Sequence, residues 1–238
     1  MHVLTIGNSF SEDSTRYLHG IARADGVNLQ VANMYIGGCS LERHYRNMLS
    51  EEKAYELQYN GERTNFSISI KEALLNRAWD IVTLQQVSNL SFNYQTYTPY
   101  LEELVKYVRR YAPKARIYIH QTWAYEAGSD RLLNMARFGT PEDMLSGIVQ
   151  AYDKAAQTIG ADGIIRSGEL FARLLQNGIR RIHRDTFHAS CGLGRYALGL
   201  LWYHTLCGRD VLENSFSDFD EVVSDEEIDI VKRCVSQF

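Results

Sequence analysis

Three side chains in this sequence are of the types that acyl transfer needs: Ser9, in the stretch IGNSFSEDS (6–14), and Asp185 and His188, in RDTFHAS (184–190). A serine hydroxyl is a weak nucleophile until an imidazole takes its proton, and the imidazole needs an acceptor that fixes its tautomer. Asp185 stands three residues before His188, so one turn can present both on the same side. Taken singly, each has a plainer reading: Ser9 or Asp185 as a helix cap, His188 as a structural histidine. Their combination is what points to chemistry.

The elements around them must position the three residues. Short apolar segments alternate with amphipathic ones: strand-like 2–6, helix-like 12–24, strand-like 29–35, and a helical stretch in the forties. A helix follows near 67–78, then IVTLQ (81–85), a helix near 98–111, RIYIH (116–120), a helix near 141–159 and a short GIIRS strand (163–167). Strands separated by helix-length segments predict an α/β fold, a three-layer α/β/α domain with a mainly parallel, flavodoxin-like sheet. Asn60-Gly61, flanked by strand-compatible residues, predicts a small hairpin inserted near 55–66. Ser224 followed by an acidic first turn predicts a closing helix near 224–236. No linker or repeat interrupts the chain, so residues 1–238 read as one domain.

In such a sheet, ligands bind beyond the carboxyl ends of the strands. Gly7-Asn8-Ser9 follows the first strand and Ile36 to Ser40 the second; Gln85 to Asn89 follow the third, and HQTWAY (120–125) ends the fourth. Backbone N–H groups of Ser9 and Gly38, with a side-chain amide from Asn89 or Gln85, are the candidate donors to a tetrahedral oxyanion.

In type and in order, these blocks resemble the SGNH, or GDSL-like, hydrolase superfamily. The segments TIGNSFSEDS, IGGCSLERH, DIVTLQQVS, HQTWAY and RDTFHAS are similar to a bacterial branch with a GNSF first block and a DTFH last block, over residues 3 to 205. The resemblance implies a carboxylic-ester hydrolase with Ser9 as nucleophile, Gly38 as oxyanion donor, and Asp185 and His188 completing the triad. It favours an acyl ester, foremost an O-acetyl ester, of a carbohydrate or other small polar alcohol, and requires no metal, nucleotide or redox cofactor. Position 8 is Asn where the family motif has Asp, and Val87 stands where the third block has Gly. Gln85 or Gln86 therefore remains an alternative to Asn89 for the amide.

Other residues compete. Trp123, Tyr125 and Gln86 are candidates for the substrate rim, and Tyr94 and Tyr97 fall in the same set of loops. Trp202 and Tyr203 lie in an apolar helix and read as core. Ser40 reads as the cap of the helix from Leu41, and Cys191 as an inert thiol. His183, Asp185 and His188 also admit a metal-ligand reading, a less favoured metal-dependent hydrolase. GLGRYA (192–197) matches a dinucleotide fingerprint but follows no strand. A non-catalytic carbohydrate-binding or regulatory domain is the alternative on the same scaffold.

The formal net charge of -4 argues against nucleic-acid binding, which needs a clustered basic surface. No apolar run reaches the roughly 20 residues of a membrane span. With Met1 as the native start the expected location is cytoplasmic; removal of a leader would make it secreted or periplasmic. Four cysteines without CxxC spacing fit reduced thiols.

Overall fold

The computed structural model describes residues 1–238. Its centre is a seven-stranded sheet built from β1 (His2–Gly7), β2 (Gln30–Tyr35), β3 (Tyr55–Tyr59), β4 (Glu62–Ile68), β5 (Ile81–Leu84), β6 (Arg116–His120) and β7 (Gly163–Ile165). The order is β4-β3-β2-β1-β5-β6-β7. The five strands from β2 to β7 are parallel, in the order 2-1-3-4-5 of a flavodoxin-like sheet. The hairpin runs on to Ile68, past the expected end at 66, and joins the sheet through β3, antiparallel to β2.

Side chains alternate across a strand, and β1 shows why both faces are buried. Val3 enters a core beneath α1 (Ser9–Thr15), α2 (Leu18–Ala24), α7 (Ser167–Gln176), α8 (Leu193–Cys207) and α9 (Asp225–Val235). Leu4 and Ile6 enter the opposite core, beneath α3 (Leu41–Ser50), α4 (Ile70–Asn76), α5 (Tyr100–Tyr111) and α6 (Pro141–Ile159). Buried on both faces, β1 is a near-continuous apolar run. Trp202 and Tyr203 are fully buried in the first core.

Caps set several boundaries. Ser69 with Glu72 and Ser224 with Glu227 form reciprocal capping boxes at α4 and α9. Ser40 accepts from Arg43 N at the start of α3. The expected 12–24 helix is two helices, and the first starts earlier, because Asn8 caps it at Ser9. GIIRS also divides: β7 stops at Ile165, and Ser167 already belongs to α7, a helix that the apolar pattern did not separate from the strand. GLGRYA opens α8 with no strand before it. No helix is long and apolar enough to cross a membrane.

Candidate active site

The passage from β1 to α1 places Ser9 at the first helical position. A Cβ at Gly7 would lie 2.4 Å from Ser11 Oγ and 2.9 Å from Gln85 Oε1, so only glycine lets the strand end against these side chains. The cap is Asn8, not Ser9. Asn8 Oδ1 accepts from Phe10 N (3.0 Å) and from Gln85 Nε2 (2.8 Å), while Asn8 Nδ2 donates to Cys39 O (3.0 Å). One amide thus ties together the loops after β1, β2 and β5, and the donation to Cys39 is one that an aspartate carboxylate could not make. Ser9 Oγ is left free to point elsewhere.

It points to His188, whose Nε2 lies 2.8 Å away. His188 Nδ1 is 2.7 Å from Asp185 Oδ2, and the His188 backbone N–H donates to Asp185 Oδ1 at 2.8 Å. An ionised carboxylate only accepts, so the proton sits on Nδ1, and the Nε2 lone pair faces the serine hydroxyl. Burial acts to raise the Asp185 carboxyl, but the hydrogen bonds from the His188 ring and backbone and from Phe187 N outweigh it and hold it below its ordinary value. The turn carrying the pair puts Thr186 at φ 74, a left-handed conformation that a β-branched residue rarely adopts. Its carbonyl accepts from Glu126 N at 2.8 Å.

Asp13, one helical turn beyond Ser9, holds the turn against α1. It is fully buried, accepts from Arg184 Nη1 at 2.9 Å on both oxygens, and accepts from Arg195 Nε at 2.9 Å and Ala189 N at 3.2 Å. Burial pushes the Asp13 carboxyl up, and the two guanidiniums act against that shift. Arg184 also donates to the carbonyl of Ala189, beside His188. The turn that carries His188 and the helix that carries Ser9 are therefore tied through one buried carboxyl group, which the sequence reading did not single out.

Ser9 and His188 open onto a cavity of about 400 Å³ that Gly38, Val87, Asn89, Tyr125, Arg131 and Phe187 help to line. Gly38 has φ +61, so the second loop turns at a residue suited to the left-handed region. Neither Ser9 N nor Gly38 N donates within the hydrogen bonds of turns, loops and caps. Asn89 is exposed in the same cavity.

Most of the other expected site residues are elsewhere. Gln85 is not turned to the cavity: its Nε2 donates to Asn8, and its Oε1 lies 2.8 Å from His120 Nδ1. Gln86 is not on the rim; it is buried, accepts from Leu41 N and donates to Thr96, bracing the loops behind the site. Trp123 has no exposed surface, because it stacks on Phe10 at 4.0 Å and donates to Phe187 O at 2.7 Å. Its role is to support the His188 turn from behind. Tyr125 does line the cavity, with its hydroxyl 3.0 Å from Ser88 Oγ. Tyr97 is buried and donates to Ser91 O, and Tyr94 bonds Thr158, so neither belongs to the rim. His183 lies 3.2 Å from Ala124 O, and no three His, Cys, Asp or Glu side chains converge as metal ligands.

This sheet order, with its crevice at the carboxyl ends of the strands, is the fold of the SGNH hydrolases. The chain is similar to a candidate SGNH hydrolase of Slackia heliotrinireducens, with TM-score 0.62 and 23% identity over 87% of this chain and 98% of that one. It is also similar to Axe2, an acetylxylan esterase of Geobacillus stearothermophilus, with TM-score 0.56 and 14% identity over 91% and 94% of the two chains. A family model described as a domain of unknown function, DUF4886, matches residues 2–237. The chain belongs to this family. A DUF4886 protein of Bacteroides uniformis shares 34% identity over 100% of this chain and 93% of its own, with TM-score 0.91. Comparison with curated proteins found no match.

Proposed function

We propose that the protein is a serine-dependent carboxylic-ester hydrolase. The observation that carries this reading is the Ser9–His188–Asp185 relay, with contacts of 2.8 and 2.7 Å, opening into a cavity beside unpaired backbone N–H groups. Ser9 Oγ attacks the ester carbonyl as His188 Nε2 takes its proton. Asp185 holds the imidazole in the right tautomer and stabilises the imidazolium. The N–H groups of Ser9 and Gly38, with the Asn89 amide, receive the oxyanion. His188 returns the proton to the leaving alcohol, and water then releases the acyl group by the same route in reverse.

The amide assignment has a direct test. Asn89→Ala should lower kcat by about 100- to 1,000-fold with little change in KM, because an oxyanion donor acts mainly in the transition state. Loss confined to KM would take Asn89 out of the oxyanion site.

The favoured substrates are short-chain, foremost O-acetyl, esters of carbohydrates or other polar alcohols. The cavity of about 400 Å³ must hold the alcohol as well as the acyl portion, and buried Phe10 and Tyr125 wall it. The acetylxylan esterase among the fold neighbours fits this choice. Turnover of nitrophenyl acetate, butyrate and octanoate should fall with chain length; preference for octanoate would refute the short-acyl assignment.

A further inference from the structure

Arg131 also lines the cavity, and the relay gives it no task. It opens a single π-helical turn, Arg131–Met135, anchored by the fully buried Leu132 and by the Ala136 N to Arg131 O bond of 2.8 Å. Its guanidinium carbon lies 3.7 Å from the centroid of the Phe187 ring, and that ring lies 3.8 Å from His188. Stacking of this kind holds a planar cation in place while leaving its N–H edge free to donate.

The charge around it is one-sided. Arg131 is the one arginine lining the cavity and makes no ion pair, whereas Arg184 and Arg195 behind the His188 turn are both engaged by Asp13. No Asp or Glu lines the cavity. Asp185 lies behind His188, occupied by its ring and backbone. A half-buried, pre-positioned guanidinium with an open fork and no internal counter-ion suits a ligand carboxylate or similar oxyanion, which it can bind through two parallel hydrogen bonds.

Building on the hydrolase reading, we propose that the substrate is an anionic ester, and that Arg131 determines this specificity by binding the negative group beside the scissile bond. The test compares 4-acetoxybenzoate with its methyl ester, placing the charge on the alcohol portion, and phenyl hydrogen adipate with phenyl methyl adipate, placing it on the acyl portion. In the wild type, at least one anionic ester should exceed its neutral partner in kcat/KM. In Arg131→Ala that anionic-to-neutral ratio should fall about 10- to 100-fold, mainly through KM, the range expected for losing a charged hydrogen-bonded contact. Arg131→Lys should restore part of it. Ratios equal in wild type and Arg131→Ala for both pairs would overturn the proposal.

Calorimetric binding of benzoate against benzamide separates this inference from the catalytic one. Benzoate bound more tightly, with the advantage lost in Arg131→Ala, supports the anion site even if no ester is cleaved, in which case the hydrolase reading alone fails. Benzoate bound no better than benzamide, together with normal turnover of neutral esters, overturns the anion site and leaves the hydrolase.

Discussion

Ser9→Ala should remove about 10,000-fold or more of kcat on nitrophenyl acetate, because no neighbouring group replaces the attacking oxygen and members of such a relay act as a unit. The fold should survive. Ser9 Oγ makes a single hydrogen bond, to His188 Nε2, and Asn8 rather than Ser9 caps α1. A half-buried hydroxyl with one partner contributes about 1 kcal/mol or less to stability. Steady-state kinetics beside urea unfolding of the same preparation would check both halves. Retention of most wild-type turnover would remove Ser9 from the reaction, and a collapse in stability would make it a structural residue.

The second large effect is acid lability, and it arises from histidines that the reaction does not use. Burial pushes His44 and His120 down to about 3 and His183 down to about 4. In the unfolded chain these imidazoles titrate near 6.5. Below that pH the unfolded state binds protons that the folded state refuses, so stability is complete above about pH 6.5 and is lost as pH falls toward 4. With three such groups the slope approaches about 4 kcal/mol per pH unit, enough over two units to consume most of an ordinary domain's stability. Asp220 acts in the same direction at lower pH. Hydrogen bonding to Arg16 holds it down to about 2, so its contribution is present above its unfolded value near 3.9 and lost toward 2. Urea midpoints should change little between pH 8 and 7 and fall steeply between 6 and 5, with a shallower slope in His120→Gln. A midpoint unchanged from pH 7 to 5 would contradict this account. The effect also bears on the site, since His120 holds Gln85, which holds Asn8.

Much of the scaffold was legible because a parallel sheet buries both faces of its strands, and apolar runs separated by amphipathic segments record that directly. The Asn60-Gly61 pair marked the hairpin, and the strand-end loops identified where Ser9 and Gly38 would meet. Legibility ended where a residue's surroundings come from distant chain. Asp13 reads in sequence as an acidic residue near a helix start, an ordinary exposed arrangement. Its partners Arg184 and Arg195 are 171 and 182 residues away, and only the tertiary fold buries it between them. Trp123, Gln86 and Gln85 illustrate a second limit. Chain order places each just after a strand, but gives no sign that its side chain turns inward to brace the loops. Arg131 lay outside the strand-end logic altogether, in a turn between β6 and α6 that periodicity does not mark. For Asn8 there was a signal: an amide where the family motif has an acid, a change that makes sense once its donation to Cys39 O is seen.

Activation of Ser9 by His188 can be tested with a fluorophosphonate probe, without knowledge of the substrate, because such probes react with serines activated by an adjacent base in an accessible site. Peptide mass spectrometry of the labelled, folded protein should place the adduct on Ser9. Labelling should be absent in Ser9→Ala and reduced to background in His188→Ala. An adduct at Ser9 that persists without His188, or folded wild-type protein that takes up no probe, would contradict the claim.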